Sequence, residues 1–125
     1  MPTNITVIST KDFIRANPRG SIDLAASRAI LTKLISMINA NGEDCVLVDT
    51  REAEVCLSIP DRYELGVSVA TQPTIAFGKV ALLVPSNEAT EAEFFETVVR
   101  NRGASLMVFT DFETAIKWLI MKVQA

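Results

Sequence analysis

The sequence predicts a single-domain α/β sandwich over residues 1–125, with a mixed, mostly parallel sheet flanked by four helices. Three observations carry the prediction. Three uninterrupted apolar runs, Cys45 to Val48, Val80 to Val84 and Leu106 to Phe109, suit strands buried on both faces. The stretches between them are amphipathic at helical period and exceed the dozen or so residues that a parallel crossover needs. The chain has 125 residues, close to the size of one ordinary domain, so a second core is not expected.

Taken in order, Ile5 and Val7 alternate with polar neighbours, and Phe13 to Ala16 precede Asn17-Pro18-Arg19-Gly20, which reads as a turn. One or two half-exposed strands are expected there, forming a polar edge on the parallel core. From Asp23, Leu24, Leu31, Leu34, Ile35 and Ile38 recur at helical spacing until Asn39-Ala40-Asn41-Gly42 stops the pattern. The first core strand follows at 45–49. Ser58 then stands as a helix cap, with Pro60 early and Asp61 at the third following position, and Tyr63, Val67 and Ala70 share a face. The second core strand is expected at 79–84. A third helix runs from Glu88 to Arg100, with Glu88, Glu91, Glu93 and Glu96 early and Arg100 late, as the helix dipole favours, and Gly103 as its stop. After a strand at 105–110, Asp111 opens the last helix, where Phe112, Ala115, Ile116, Leu119, Ile120 and Val123 repeat at spacings of three and four.

Composition excludes more than it identifies. Twelve Lys and Arg against fifteen Asp and Glu give a net charge of −3, which offers no basic footprint for nucleic acid. Histidine is absent, so catalytic triads and His-bearing metal sites are ruled out, and no cofactor is expected. Cys45 and Cys56 lack CxxC spacing and read as buried, reduced thiols of a cytoplasmic protein. The N-terminus MPTNITVIST carries no signal-peptide pattern, and no apolar run is long enough for membrane insertion.

Open α/β sheets place ligands beyond the carboxyl ends of their strands. The turns there are Asp49-Thr50-Arg51-Glu52, Pro85-Ser86-Asn87-Glu88 and Thr110-Asp111, and none has the glycines of a phosphate loop or a dinucleotide fingerprint. A phospho-receiver constellation fails as well, because Lys79 begins its strand instead of ending it. Asp49 reads as a partner of Arg51, Asp111 as a helix cap, and Asp61 with Glu64 as a solvated helix face. Two features stand out from this background. The loop Thr71 to Gly78 carries Ile75 and Phe77, too apolar for a freely solvated connection, and Trp118 with Met121 lies off the main stripe of the last helix. These four residues are the candidates for an apolar pocket or interface. The exposed N-terminal edge and the Trp118 face also suggest weak homodimerisation.

Four stretches together resemble the STAS domains of the SpoIIAA-like group: Gly20 to Leu24, Val46 to Arg51, Lys79 to Pro85, and Val108 to Leu119 with its Ala115-x-x-Trp118-Leu119 ending. The resemblance spans about residues 12–120 and is specific for fold more than for activity. It implies a non-enzymatic signalling or protein-interaction module of the anti-sigma-factor-antagonist type, binding an anti-sigma-factor-like kinase and switched by serine phosphorylation. It places Ser58 near the phospho-acceptor position, at a helix N-terminus whose amides and dipole favour phosphate. The usual Asp-Ser-(Ser/Ala)-Gly is replaced by Leu57-Ser58-Ile59-Pro60, so the flanking glycine is missing. Relatives resembling lipid carriers make a small apolar ligand the alternative.

Overall fold

A computed structural model describes residues 4–9, 13–42, 45–72 and 78–121. The chain runs β1 (Asn4–Ser9), β2 (Ile14–Ile22), α1 (Leu24–Asn41), β3 (Cys45–Asp49), β4 (Ala53–Val55), α2 (Ile59–Ala70), β5 (Lys79–Leu83), a 3-10 turn (Ser86–Glu88), α3 (Ala89–Arg100), β6 (Ser105–Phe109) and α4 (Phe112–Ile120). The sheet order is β1-β2-β3-β5-β6, with β4 also beside β2. β1 pairs antiparallel with β2, and the other pairings are parallel, so the sheet is mixed and mostly parallel as expected.

Alternation along the strands divides the core into two layers. Val46, Val80 and Leu106 face one side, where they meet Ile30, Leu34 and Ile38 of α1, Leu65 and Val69 of α2, and Phe95 and Val99 of α3. Leu47, Ala81 and Leu83 face the other side, where α4 alone supplies Ala115 and Leu119. Strands covered on both faces have no polar alternation to show, which is why they stand in the sequence as unbroken apolar runs.

The helix ends follow local chemistry. Asp23 accepts from the Ala26 amide at 2.8 Å, and Gly42 closes α1 in the left-handed region at φ +68°, donating its N–H to the Ile38 carbonyl. Asp111 accepts from the Thr114 amide at 2.9 Å and the Thr114 hydroxyl at 2.7 Å. Those two hydrogen bonds, amid weaker influences, hold its carboxyl below the ordinary aspartate pKa. α3 has no side-chain cap, and the 3-10 turn leads the backbone into it.

The structure corrects three expectations. Asn17-Pro18-Arg19-Gly20 is not a turn but the middle of β2, and β2 is an interior strand with Ile14 and Ala16 fully buried. Pro18 is tolerated because β2 changes neighbour around it: residues 14–16 pair with β3 and residues 20–22 with β4, so on that side no ladder hydrogen bond is asked of Pro18. β4 has no counterpart in the sequence reading, since three residues are too few to show a period. Cys56 is exposed, not buried; its thiol pKa is raised by desolvation and then by the Glu54 carboxylate, which makes it a poor nucleophile.

Gly66 marks the closest approach of α2 to α3: an added Cβ would lie 2.7 Å from Cγ1 and 3.1 Å from Cβ of Val98. Neither atom is the free end of a long side chain. Gly66→Ala is therefore expected to cost about 1–2 kcal/mol, the clash exceeding the ~1 kcal/mol that alanine gains in a helix. A denaturant midpoint higher than wild type would refute this seating of the two helices.

Candidate functional site

The N-terminal end of α2 carries the most distinctive surface chemistry. Ser58 caps the helix, its Oγ accepting from the Asp61 amide at 3.1 Å while the Asp61 carboxylate accepts from the Ser58 amide at 3.4 Å. Pro60 in the first turn fixes the entry of the chain. Ser58 is exposed, and beside it Ile59 and Tyr63 are 56% and 50% exposed, among the largest apolar surfaces the described residues leave open to water. The outer side of α2 is tied to its neighbours by polar contacts. Arg102 donates to the Tyr63 hydroxyl at 2.8 Å and lies 5.5 Å from its ring centroid, and Arg28 of α1 pairs with Glu64.

The inner side of α2 presents Arg62, Leu65, Gly66 and Val69 to the core. Beneath them lies a cavity of about 140 Å³ between the sheet and helices α1, α2 and α3. Its walls are overwhelmingly apolar, with Ile30, Leu34, Val46, Leu65 and Phe95 among them. Ser27, Thr50, Arg62 and Glu88 are the polar exceptions. The two hydroxyls are engaged, Ser27 donating to the Asp23 carbonyl and Thr50 to the Leu83 carbonyl. Arg62 is not engaged in this way: the residue is 9% exposed, and its Nε has no hydrogen-bond partner.

Ile75 and Phe77 lie outside the described residues. Trp118 is half-buried on the α4 side of the sheet, its ring 5.6 Å from that of Phe109, and Met121 is exposed just beyond the helix. Lys79 ties this corner together. Its Nζ donates to the carbonyls of Trp118 and Met121 at 3.1 and 2.6 Å and stands 5.3 Å from the Trp118 ring centroid. A cation on the last carbonyls of a helix is favoured by the dipole, so Lys79 and Phe109 account for the position of Trp118 by packing. Neither Trp118 nor Met121 lines the cavity.

At the opposite end of the strands, Asp49 is buried and pairs with Arg51 as expected. Arg15 adds a second contact at 3.4 Å, and both guanidinium groups lie over the Phe112 ring. Burial would raise the Asp49 pKa, but hydrogen bonds from Arg51 and the charges of both arginines outweigh it and hold the carboxyl below its ordinary value. This cluster joins β2, β3 and the start of α4 and leaves no carboxylate free for acid–base work.

Arg62 is the residue that sequence reasoning missed. The signal was present: Arg62, Leu65 and Val69 follow the three-and-four spacing of one helical face, so an arginine stands on the apolar stripe. It also sits in the first turn, where the helix dipole disfavours a cation.

No protein-family model matches the chain, and no curated protein matches it in sequence. Solved structures do match in shape. A protein of the DUF3478 family with a SpoIIAA-like fold from Shewanella loihica PV-4 superposes with a TM-score of 0.57 at 18% identity, over 94% of this chain and 93% of that one. An anti-sigma factor antagonist from Mycobacterium paratuberculosis gives 0.62 at 14% identity, over 94% of each chain. The anti-sigma factor antagonist SpoIIAA in its unphosphorylated form gives 0.58 at 16% identity, over 92% of this chain and 96% of that one. Similarity of this extent, joined to the strand order and the two-layer core, establishes that the chain has the SpoIIAA-like fold.

Proposed function

We propose that the chain is a non-enzymatic protein-interaction module that docks an anti-sigma-factor-like kinase through the N-terminal end of α2, with Ser58 as the phospho-acceptor. The observation that carries this reading is the exposed Ser58 cap hydroxyl flanked by exposed Ile59 and Tyr63, a polar acceptor inside an apolar contact surface. Two proteins of the same fold are anti-sigma factor antagonists, which adds support. Phosphate on Ser58 would add about −2 charge at the dipole's positive end and displace the Asp61 carboxylate from its bond to the Ser58 amide. The switch would thus act on the docking surface and leave the core untouched.

Incubation with a purified kinase-type anti-sigma factor and magnesium ATP, followed by mass spectrometry, is expected to place one phosphate on Ser58. Ser58→Ala should abolish labelling and cost about 1 kcal/mol of stability through the lost cap. Ser58→Asp should weaken kinase binding at least about tenfold, the scale of a phospho-switch at such a surface. An unlabelled protein whose Ser58→Asp variant binds as tightly as wild type would reduce Ser58 to a cap. Homodimerisation through β1, which has β2 as its sheet neighbour at the edge, is read in the same series by sedimentation at micromolar concentration.

A second reading, a small apolar ligand, is favoured by one observation, the 140 Å³ apolar cavity beneath α2. Its occupant would contact α1, α2 and α3; Trp118 and Met121 lie across the sheet from it.

A further inference from the structure

From the cavity and the unpartnered Nε of Arg62 in its wall, we infer that this protein binds a small monocarboxylate, with Arg62 holding the carboxylate and the apolar walls enclosing a body of about six carbons. The inference rests on the second reading above, that the cavity takes a ligand, and adds the ligand's charge and size.

Three features of Arg62 lead to it. The residue is 9% exposed, so its side chain runs through the apolar interior and its Nε is out of reach of water. Its Nε has no partner, and no carboxylate among the described residues forms an ion pair with it. It also occupies the first turn of α2, where the dipole opposes a positive charge. Each of these three features costs free energy that leucine there, continuing the stripe of Leu65 and Val69, would not cost. An anion with an apolar tail removes each penalty at once, since its carboxylate supplies the missing acceptor and counter-charge beside a guanidinium built for that geometry.

The walls set the rest of the ligand. Apart from Arg62, the polar lining among the described residues consists of Ser27 and Thr50, whose hydroxyls already donate to backbone, and Glu88, which is half-exposed. A second polar group on the ligand would therefore find no free hydroxyl donor among the described residues of the lining. Volume sets the length: about 140 Å³ matches cavities that enclose a benzene-sized body. Benzoate and hexanoate are the simplest members of the class.

The test is an NMR titration of the ¹⁵N-labelled full chain with benzoate, hexanoate, and the neutral isosteres benzyl alcohol and methyl benzoate. The expected result is amide shifts centred on Arg62, Leu65 and Phe95, with benzoate binding at least about tenfold more tightly than benzyl alcohol, the worth of one charge-assisted contact. Arg62→Gln should erase that preference and leave benzyl alcohol affinity within about twofold, because the apolar walls are unchanged. If the neutral compounds enter the cavity and benzoate is no tighter, Arg62 takes Glu88 or water as its partner; the apolar-ligand reading then survives and this inference fails. If nothing shifts those amides, both fail. Should Arg62→Gln not fold, the ratio of benzoate to methyl benzoate in the wild-type protein decides the matter alone.

Discussion

Leu47→Ala is expected to lower stability by about 3 kcal/mol, with 2–5 kcal/mol as the range for a fully buried leucine. Leu47 is 0% exposed in the second of the sheet's interior parallel strands, and it meets Leu83, Ala115 and Leu119 on the side covered by α4. Among the described residues, one short helix supplies most of that layer, with Phe13 beside it. Truncation there removes buried methyl groups and leaves a hole that a nine-residue helix, pinned at its start by Arg15 and Arg51 over Phe112 and at its end by Lys79, cannot close by moving. The loss is to be read as a lower denaturant midpoint at unchanged slope. Trp118 is the chain's one tryptophan and rides on α4, so its emission should shift to the red in the variant before global unfolding. Ile120→Ala, at a position 46% exposed on the same helix, is the control and should cost under about 0.5 kcal/mol. A loss below about 1 kcal/mol for Leu47→Ala would mean that α4 does not seat on β3 and β5.

Asp49→Asn should cost about 2 kcal/mol at neutral pH and flatten the acid limb of the stability profile. The Asp49 side chain is 4% exposed and accepts from Arg51 at its amide, Nε and Nη2 (3.1, 3.0 and 2.9 Å) and from Arg15 at 3.4 Å. Asparagine keeps the shape but loses the charge that two arginines share. The figure lies below that for breaking a fully buried ion pair because Arg15 and Arg51 are 35% and 40% exposed, and water recovers part of their solvation. The pH dependence follows from the depressed carboxyl. Its pKa is lower folded than unfolded, so as the pH falls the unfolded chain takes up the proton first, and acid favours unfolding. Asp49's contribution is complete above the unfolded value near 3.8 and disappears as the pH drops through the lower folded value. Asp111 is depressed too and titrates in the same window, so the quantity to measure is the difference between wild type and Asp49→Asn from pH 7 to pH 2. A constant difference across that range would show that Asp49 does not depend on its charge.

The same two sites show what could be read in advance. The runs at 45–48, 80–84 and 106–109 fall on β3, β5 and β6, because a strand covered on both faces holds mostly apolar side chains. Asp23, Ser58 and Asp111 all stand at helix starts, since capping is satisfied by one side chain and an amide two or three residues away. Pro18 went the other way. Its local signal is that of a turn, and only the change of neighbour from β3 to β4 makes a proline acceptable inside β2. Arg62 was legible as an arginine on an apolar stripe, but long cationic side chains on such stripes commonly reach past the core to water. Whether this one does depends on where α1 and α3 lie.

By itself the sequence determined the fold class, the order of the core strands along the chain, the four helices and the caps that begin two of them, together with the absence of histidine chemistry. These are set by contacts between residues near in sequence or by the period of burial, and both are written in one dimension. Tertiary structure alone decided that β2 is interior, that Trp118 is held by Lys79 across the α4 layer, and that Arg62 lines a cavity with its Nε unpartnered. Each depends on which distant segments meet. A buried arginine nitrogen becomes an anomaly only when the groups that might have paired with it are seen to lie elsewhere.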